Sequence, residues 1–280
     1  MDIKDFFSQD VIEAKSWNDC KAIFEELRQQ WKTINQQHEW NASQLLFRGL
    51  SDSCLELTTT IDRYTSEQIS IEEYCKAILT IRTEIETFTN KTWQEFSYDK
   101  IKSWFQKISR FIETSSMPGY DYMVYLRHHG FPSPLLDWTR GPFIAAFFAF
   151  RNCSEKTHHV AIHVYLSDPG QGKCHEGSDP QILNLGPNVT SHTRHFLQQS
   201  QYTMCIMLSG EQDTIYFAHH DDVLLKKIPG QDLHCKIIIP SSERLEALND
   251  LYSLNINAFS LFGSEESLAE TLALKEFYLR

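Results

Sequence analysis

The sequence predicts an α+β fold, a mixed β-sheet core with a helical layer inserted in the N-terminal half. Three observations predict it. Apolar residues recur at helical spacing through roughly the first 114 positions, and short β-branched and aromatic runs bounded by Gly, Pro, Asn and Asp dominate 160–239. The two blocks meet at Pro142 to Phe150, a helix apolar nearly all the way round that must be buried. Helices crowded ahead of strands do not make a regular βαβ repeat.

The elements follow in order. Residues 10 to 38 form an amphipathic helix, with Ile23, Phe24, Leu27 and Trp31 on one face and Ser16 or Asn18 as cap. The run 43–49 is too short for a helix and closes on Gly49, so it is a buried strand with Arg48 at its carboxyl end. Helices over 66–90 and 93–114 carry Ile71, Tyr74, Ile78, Ile81, Ile85 and Phe88, then Trp104, Phe105, Ile108, Phe111 and Ile112. The chain leaves a helix at Arg127-His128-His129-Gly130, because Pro132 and Pro134 bias their predecessors toward extended backbone. A short strand, Pro134 to Trp138, leads through a turn into the apolar helix, where Pro142 costs no hydrogen bond in the first turn. Strands over 160–166, 181–185, 204–208, 214–218 and 234–239 precede closing helices near 241–252 and 266–278. The glycine-rich loop 167–179 is the expected mobile segment. No repeat, low-complexity tract or linker divides the chain, so residues 1–280 are expected to form a single domain.

Composition excludes several function classes. A net charge of -11 argues against non-specific capture of nucleic acid or of an anionic membrane. No apolar run reaches the ~20 residues that span a bilayer. Seven cysteines without a CxxC pair, and no signal-peptide pattern, predict reduced thiols and a cytoplasmic protein. The pairs His158-His159 and His219-His220, with His192 and His195, show no zinc-type spacing, so no metal is expected.

Arg48 in Phe47-Arg48-Gly49, followed by Leu57-Thr58-Thr59-Thr60-Ile61-Asp62-Arg63-Tyr64, resembles the opening motif of the FRG domain family. Arg127-His128-His129-Gly130-Phe131-Pro132, Leu135-Leu136-Asp137-Trp138-Thr139 and the apolar helix from Pro142 resemble its central signature. Arg194 and Gln198 in RHFLQQSQYT, then Leu254-Asn255-Ile256 to Phe262, resemble its later elements. Together these cover about residues 25–278 in order. Ser200 departs from the family's usual glycine, and Ser133 from its frequent threonine. A more distant resemblance is to ADP-ribosyltransferases, which hold NAD with an arginine at the end of the first core strand. That resemblance implies an ADP-ribosyltransferase-like fold and an NAD or nucleotide pocket serving ADP-ribosyl transfer or NAD hydrolysis, in a toxin or phage-defence context with a macromolecular acceptor. The catalytic glutamate of that family is missing near Gln198, and Glu211 is the nearest downstream carboxylate.

The residue chemistry makes its own case. Arg48 suits bidentate capture of a phosphate, with Gly49 allowing close approach of a ligand; its alternative is an ion pair with Asp137. Asp137 needs a partner in its apolar setting and could orient His128, His129 or Arg48. Trp138 stacks on a base or packs in the core, and Thr139 caps the helix or binds a ribose. One of His128 and His129 serves as acid or base, or bonds within the loop. Gln198 bonds a ring amide or forms a turn, and Arg194 completes an anion site with Arg48 or is solvated. The helix start at Gly141-Pro142 adds positive potential for a bound anion. A non-enzymatic nucleotide-sensing or protein-interaction domain is the alternative function.

Overall fold

The computed structural model describes residues 3–37, 42–108, 116–154, 156–173, 179–189, 193–209 and 214–279. Eight strands, β1 (Val11–Glu13), β2 (Leu46–Leu50), β3 (Leu135–Thr139), β4 (His159–Leu166), β5 (Gln181–Asn184), β6 (Ser200–Ser209), β7 (Thr214–Phe217) and β8 (Leu233–Pro240), form one sheet in the order β1-β8-β4-β2-β3-β6-β5, with β7 also on β6. Among the described strands only β1 and β8 run parallel, so the sheet is mixed and the fold is α+β as expected. The helices are α1 (Ile3–Phe7), α2 (Trp17–Gln37), α3 (Thr60–Tyr64), α4 (Ile71–Thr80), α5 (Arg82–Thr89), α6 (Tyr98–Ile108), α7 (Tyr120–His128), α8 (Pro142–Arg151), α9 (Thr193–Leu197), α10 (Asp221–Leu224), α11 (Arg244–Ser253), α12 (Ala258–Phe262) and α13 (Glu265–Tyr278).

The first helix starts later than its apolar pattern suggests. Ser16 does cap α2, its hydroxyl accepting from the Asp19 N–H at 3.1 Å, but residues 11–13 extend instead as β1 along β8. The expected 66–90 helix is two. Ser70 opens α4 through a capping box with Glu73, and the chain breaks at Ile81, which ends α4 and starts α5. The predicted 93–114 helix begins at Tyr98, and Phe111 and Ile112 lie outside the described residues. The described part of the 167–179 loop is fastened: Asp168 accepts from the N–H groups of Gly170, Gln171 and Gly172, and its own backbone exchanges hydrogen bonds with Ser43.

Two apolar layers cover one face of the sheet side by side. Strands β2, β4 and β8 bury Phe47, Ile162 and Ile237 with α1, α2, α8 and α11. Strands β3, β5 and β6 bury Leu135, Leu183 and Met204 with the inserted helices α4, α6 and α7. Because Phe47 and Thr139 are paired neighbours, their side chains share this face, and alternation along β3 brings Asp137 and Leu135 to it as well. The opposite face carries a smaller cluster of Leu46, Leu136, Trp138 and Tyr165, capped by Val223 and Leu224 of α10.

Candidate functional site

The sheet opens between β2 and β3. These strands register at one pair, Phe47 with Thr139, whereas β3 and β6 register at five consecutive pairs. Beyond Phe47 the two strands diverge, and the opening widens into a cleft of about 410 Å³. Arg48, Gly49 and Leu50 line one wall, Arg127, His128 and Asp137 the other, with Phe148 of α8, Asn152 just after it, and Gln198 and Ser200 also at its boundary. That volume lies within the range of small-molecule sites, roughly 300–1,000 Å³.

A charged cluster sits at the opening. Arg48 donates through Nη1 to the Asp137 carbonyl at 2.7 Å, with the Asp137 carboxylate 3.7 Å away. Arg127, at the last turn of α7, forks onto the same carboxylate: its Nε donates to Oδ1 at 3.1 Å and its Nη2 to Oδ2. The third guanidinium nitrogen, Nη1, donates to Thr60 Oγ1 at 3.0 Å, and that hydroxyl in turn accepts from the Ser133 N–H at 2.9 Å. One carboxylate therefore faces two guanidinium groups, which leaves the cluster net positive. Burial, the largest influence on Asp137, pushes its carboxyl up, but Arg127 and Arg48 outweigh it and hold the pKa below the ordinary value. Burial likewise brings Arg48 down to about 10, with Asp137 opposing, so the guanidinium remains charged at neutral pH. Its Nε is buried without a hydrogen-bond partner among the described residues.

The histidines separate. Nε2 of His128 lies 2.9 Å from the Tyr202 hydroxyl at the cleft wall. Its neighbour His129 turns away and packs, tilted, against Tyr125 with ring centroids 4.2 Å apart. Tyr202 is fully buried, faces the His195 ring 5.7 Å away, and pairs with Asp137 across the β3–β6 ladder. Successive residues at a helix end point in different directions, which is why one histidine reaches the cleft and the other does not.

The other expected site residues have roles within the fold or lie outside the cleft. Gly49 is required by the fold: a Cβ there would meet the backbone of α8, 2.6 Å from the Ala149 N and closer still to the Ala145 carbonyl oxygen. Trp138 borders the cleft but is 3% exposed, and its ring, which donates to Thr203 Oγ1 at 2.8 Å and stacks on Tyr165, packs in the cluster of the opposite face. Thr139 borders the cleft, and its hydroxyl donates to the Gln198 carbonyl at 2.7 Å and accepts from the Gly141 N–H at 3.0 Å, just ahead of α8. Gln198 borders the cleft while its amide donates to the Leu261 carbonyl at 3.1 Å. Arg194 lies over the Phe262 ring and not in the cleft wall. The start of α8 borders a different hollow with Arg140, whereas its carboxyl half borders the cleft. Glu211 lies outside the described residues.

Sequence reasoning missed Arg127, Tyr202 and Thr60. Arg127 had a readable signal, since a cation in the last helical turn precedes the proline bend that carries Asp137. Nothing local marks Tyr202 or Thr60, which reach the site through strand pairing and from the start of α3. Among the described residues no group of three or more His, Cys, Asp or Glu could hold a metal ion.

No curated protein and no solved structure matches the chain, so the likeness to ADP-ribosyltransferases gains no support there. A family model does match, over β2, the inserted helices, β3 and α8: residues 43–158 correspond to the FRG domain, and in that segment the chain carries an FRG domain.

Proposed function

We propose that the cleft between β2 and β3 binds the pyrophosphate of an NAD-type nucleotide. The observation that carries this reading is the net positive Arg48–Asp137–Arg127 cluster where β2 and β3 part. Guanidinium groups match phosphate oxygens in geometry as well as charge, and a partly dehydrated site strengthens each contact. Arg48 keeps donor capacity beyond its bond to Asp137, while Arg127 holds the carboxylate in place. Leu55, 49% exposed at the rim, and Phe148 offer apolar surface to a base or nicotinamide ring. The order of elements supports the same reading, with an arginine-bearing strand, a threonine-bearing strand and then the apolar helix.

Turnover is the finer reading. His128 is the cleft's acid or base, taking a proton from water or from an acceptor hydroxyl as the bond between ribose and nicotinamide breaks. The alternative, a nucleotide sensor without turnover, is favoured by Asp137, which two arginines hold and which is the only carboxylate in the described cleft wall. A toxin or defence role accompanies either reading and predicts growth arrest on expression that depends on Arg48.

Calorimetric titration with ADP-ribose, NAD and adenosine separates these readings. ADP-ribose and NAD bind and adenosine, lacking phosphate, binds at least tenfold more weakly, the scale of one lost charge-assisted contact. Leu55→Trp, which fills the mouth without touching the charged cluster, weakens ADP-ribose binding while leaving the unfolding midpoint unchanged. Equal affinity for adenosine and ADP-ribose would overturn the proposal. Recovery of intact NAD after long incubation selects the sensor, and release of nicotinamide selects the enzyme.

A further inference from the structure

A second hollow, of about 460 Å³, lies between α2, the residues entering β2 and the turn into α8. Its walls are aromatic and aliphatic: Phe24 and Trp31 from α2, Leu45 and Phe47, then Pro142 and Phe143. Three cations, Lys21, Arg28 and Arg140, stand around it with one carboxylate, Glu25. Lys21 is already paired with Asp250 at 2.8 Å, and Arg28 is forked by Glu25 at 2.7 and 2.8 Å. Arg140 is exposed, and its guanidinium has no hydrogen-bond or ion-pair partner among the described residues. The rim therefore carries one uncompensated positive charge over an apolar floor.

We infer that this hollow binds a hydrophobic monocarboxylate, its aryl or short alkyl body among Phe24, Trp31 and Phe143 and its carboxylate on Arg140. The charge count selects a monoanion, since a dianion exceeds what the single unpaired cation neutralises. A planar carboxylate suits a guanidinium fork, and burial of the apolar body supplies the bulk of the affinity. A neutral or cationic molecule of the same shape fills the floor equally well and leaves Arg140 unanswered or repelled. The site is independent of the nucleotide reading, although Phe47 borders both hollows.

Titrating the full chain with 2-naphthoate and with 2-naphthylmethylamine, probes of similar shape and opposite charge, tests the inference. The carboxylate binds at least tenfold more tightly than the amine, and Arg140→Gln weakens it about tenfold, as expected for one charge-assisted contact. Because Arg140 is exposed, that variant unfolds at the wild-type urea concentration, and the loss is not one of folding. Equal affinities for the two probes, insensitivity to Arg140→Gln, or no binding up to about 1 mM would each overturn the proposal.

Discussion

At the scale of single residues, the chain concentrates cost and chemistry on Asp137. Its carboxylate is held by Arg127 and Arg48 in a partly dehydrated setting, so removing it strands two positive charges. Asp137→Asn is expected to lower stability by about 3 kcal/mol, the lower end of the range for broken buried pairs because 35% of the side chain meets solvent. Urea denaturation reads this directly, and an unchanged midpoint would contradict the cluster's geometry. Histidines govern the acid limit. His163 and His220 are buried and His234 is half-buried, all three neutral: desolvation, aided by neighbouring charges, takes His220 down to about 3 and His234 down to about 4, and it holds His163 well below its ordinary value. Folded pKa values below the unfolded value of about 6.5 mean that the unfolded chain binds more protons. Stability from these groups is complete above that pH and declines as pH falls through it toward the folded values, on the order of 1.4 kcal/mol per pH unit for each histidine. Urea midpoints at descending pH should fall accordingly, and His220→Gln should shallow the decline.

At the scale of elements, β2 packs tightly on α8 at Gly49. Gly49 faces the Ala145 and Ala149 backbone, where no side chain can yield. Gly49→Ala is therefore expected to cost about 1–3 kcal/mol and to push α8 away from the strand, visible as lost hydrogen-exchange protection along β2. Wild-type protection in that variant would show that the helix had room. Which elements the sequence made legible follows from how locally each is specified. The strand at 135–139 and the helix after Pro142 were readable, because two prolines, a run of apolar residues and a proline-opened helix determine them within twenty positions. The strand Val11–Glu13 was not, since three half-exposed residues gain their order from pairing with β8, more than two hundred positions away. The break at Ile81 was hidden for a related reason: apolar spacing continues across it, and only packing shows that two helices replace one. At the site, Arg48, Asp137 and a histidine were legible as residue types stranded beside apolar runs. Arg127 was signalled only by its place in the last helical turn, and the internal hydrogen bonds of Trp138 and Thr139 were hidden because strand alternation and loop contacts are invisible before the sheet is assembled.

At the scale of the whole molecule, the sheet joins residues that no local segment could hold. Strand β2 gains its long ladder from β4, and β3 gains its ladder from β6, so both cleft strands depend on chain beyond residue 158. The matched FRG segment contains Arg48, Arg127, His128 and Asp137 but neither Gln198 nor Ser200 of the cleft boundary. A fragment of residues 43–158 is thus expected to lack a cooperative thermal transition, whereas the full chain shows one by circular dichroism. Cooperative melting of that fragment would mean that the segment is a folding unit by itself. No helix among the described residues is long and apolar enough to cross a membrane, and the net charge of -11 makes the positive cluster a local exception on an acidic molecule. A confined positive potential suits selection of a small anion over a long polyanion.

The most direct measurement is a crystal structure of the protein soaked with ADP-ribose. Pyrophosphate oxygens are expected within hydrogen-bond reach of Arg48, at about 2.7–3.2 Å, with Arg127 still forked onto Asp137. Density for the ligand elsewhere, or a filled cleft in which Arg48 contacts only Asp137, would contradict it.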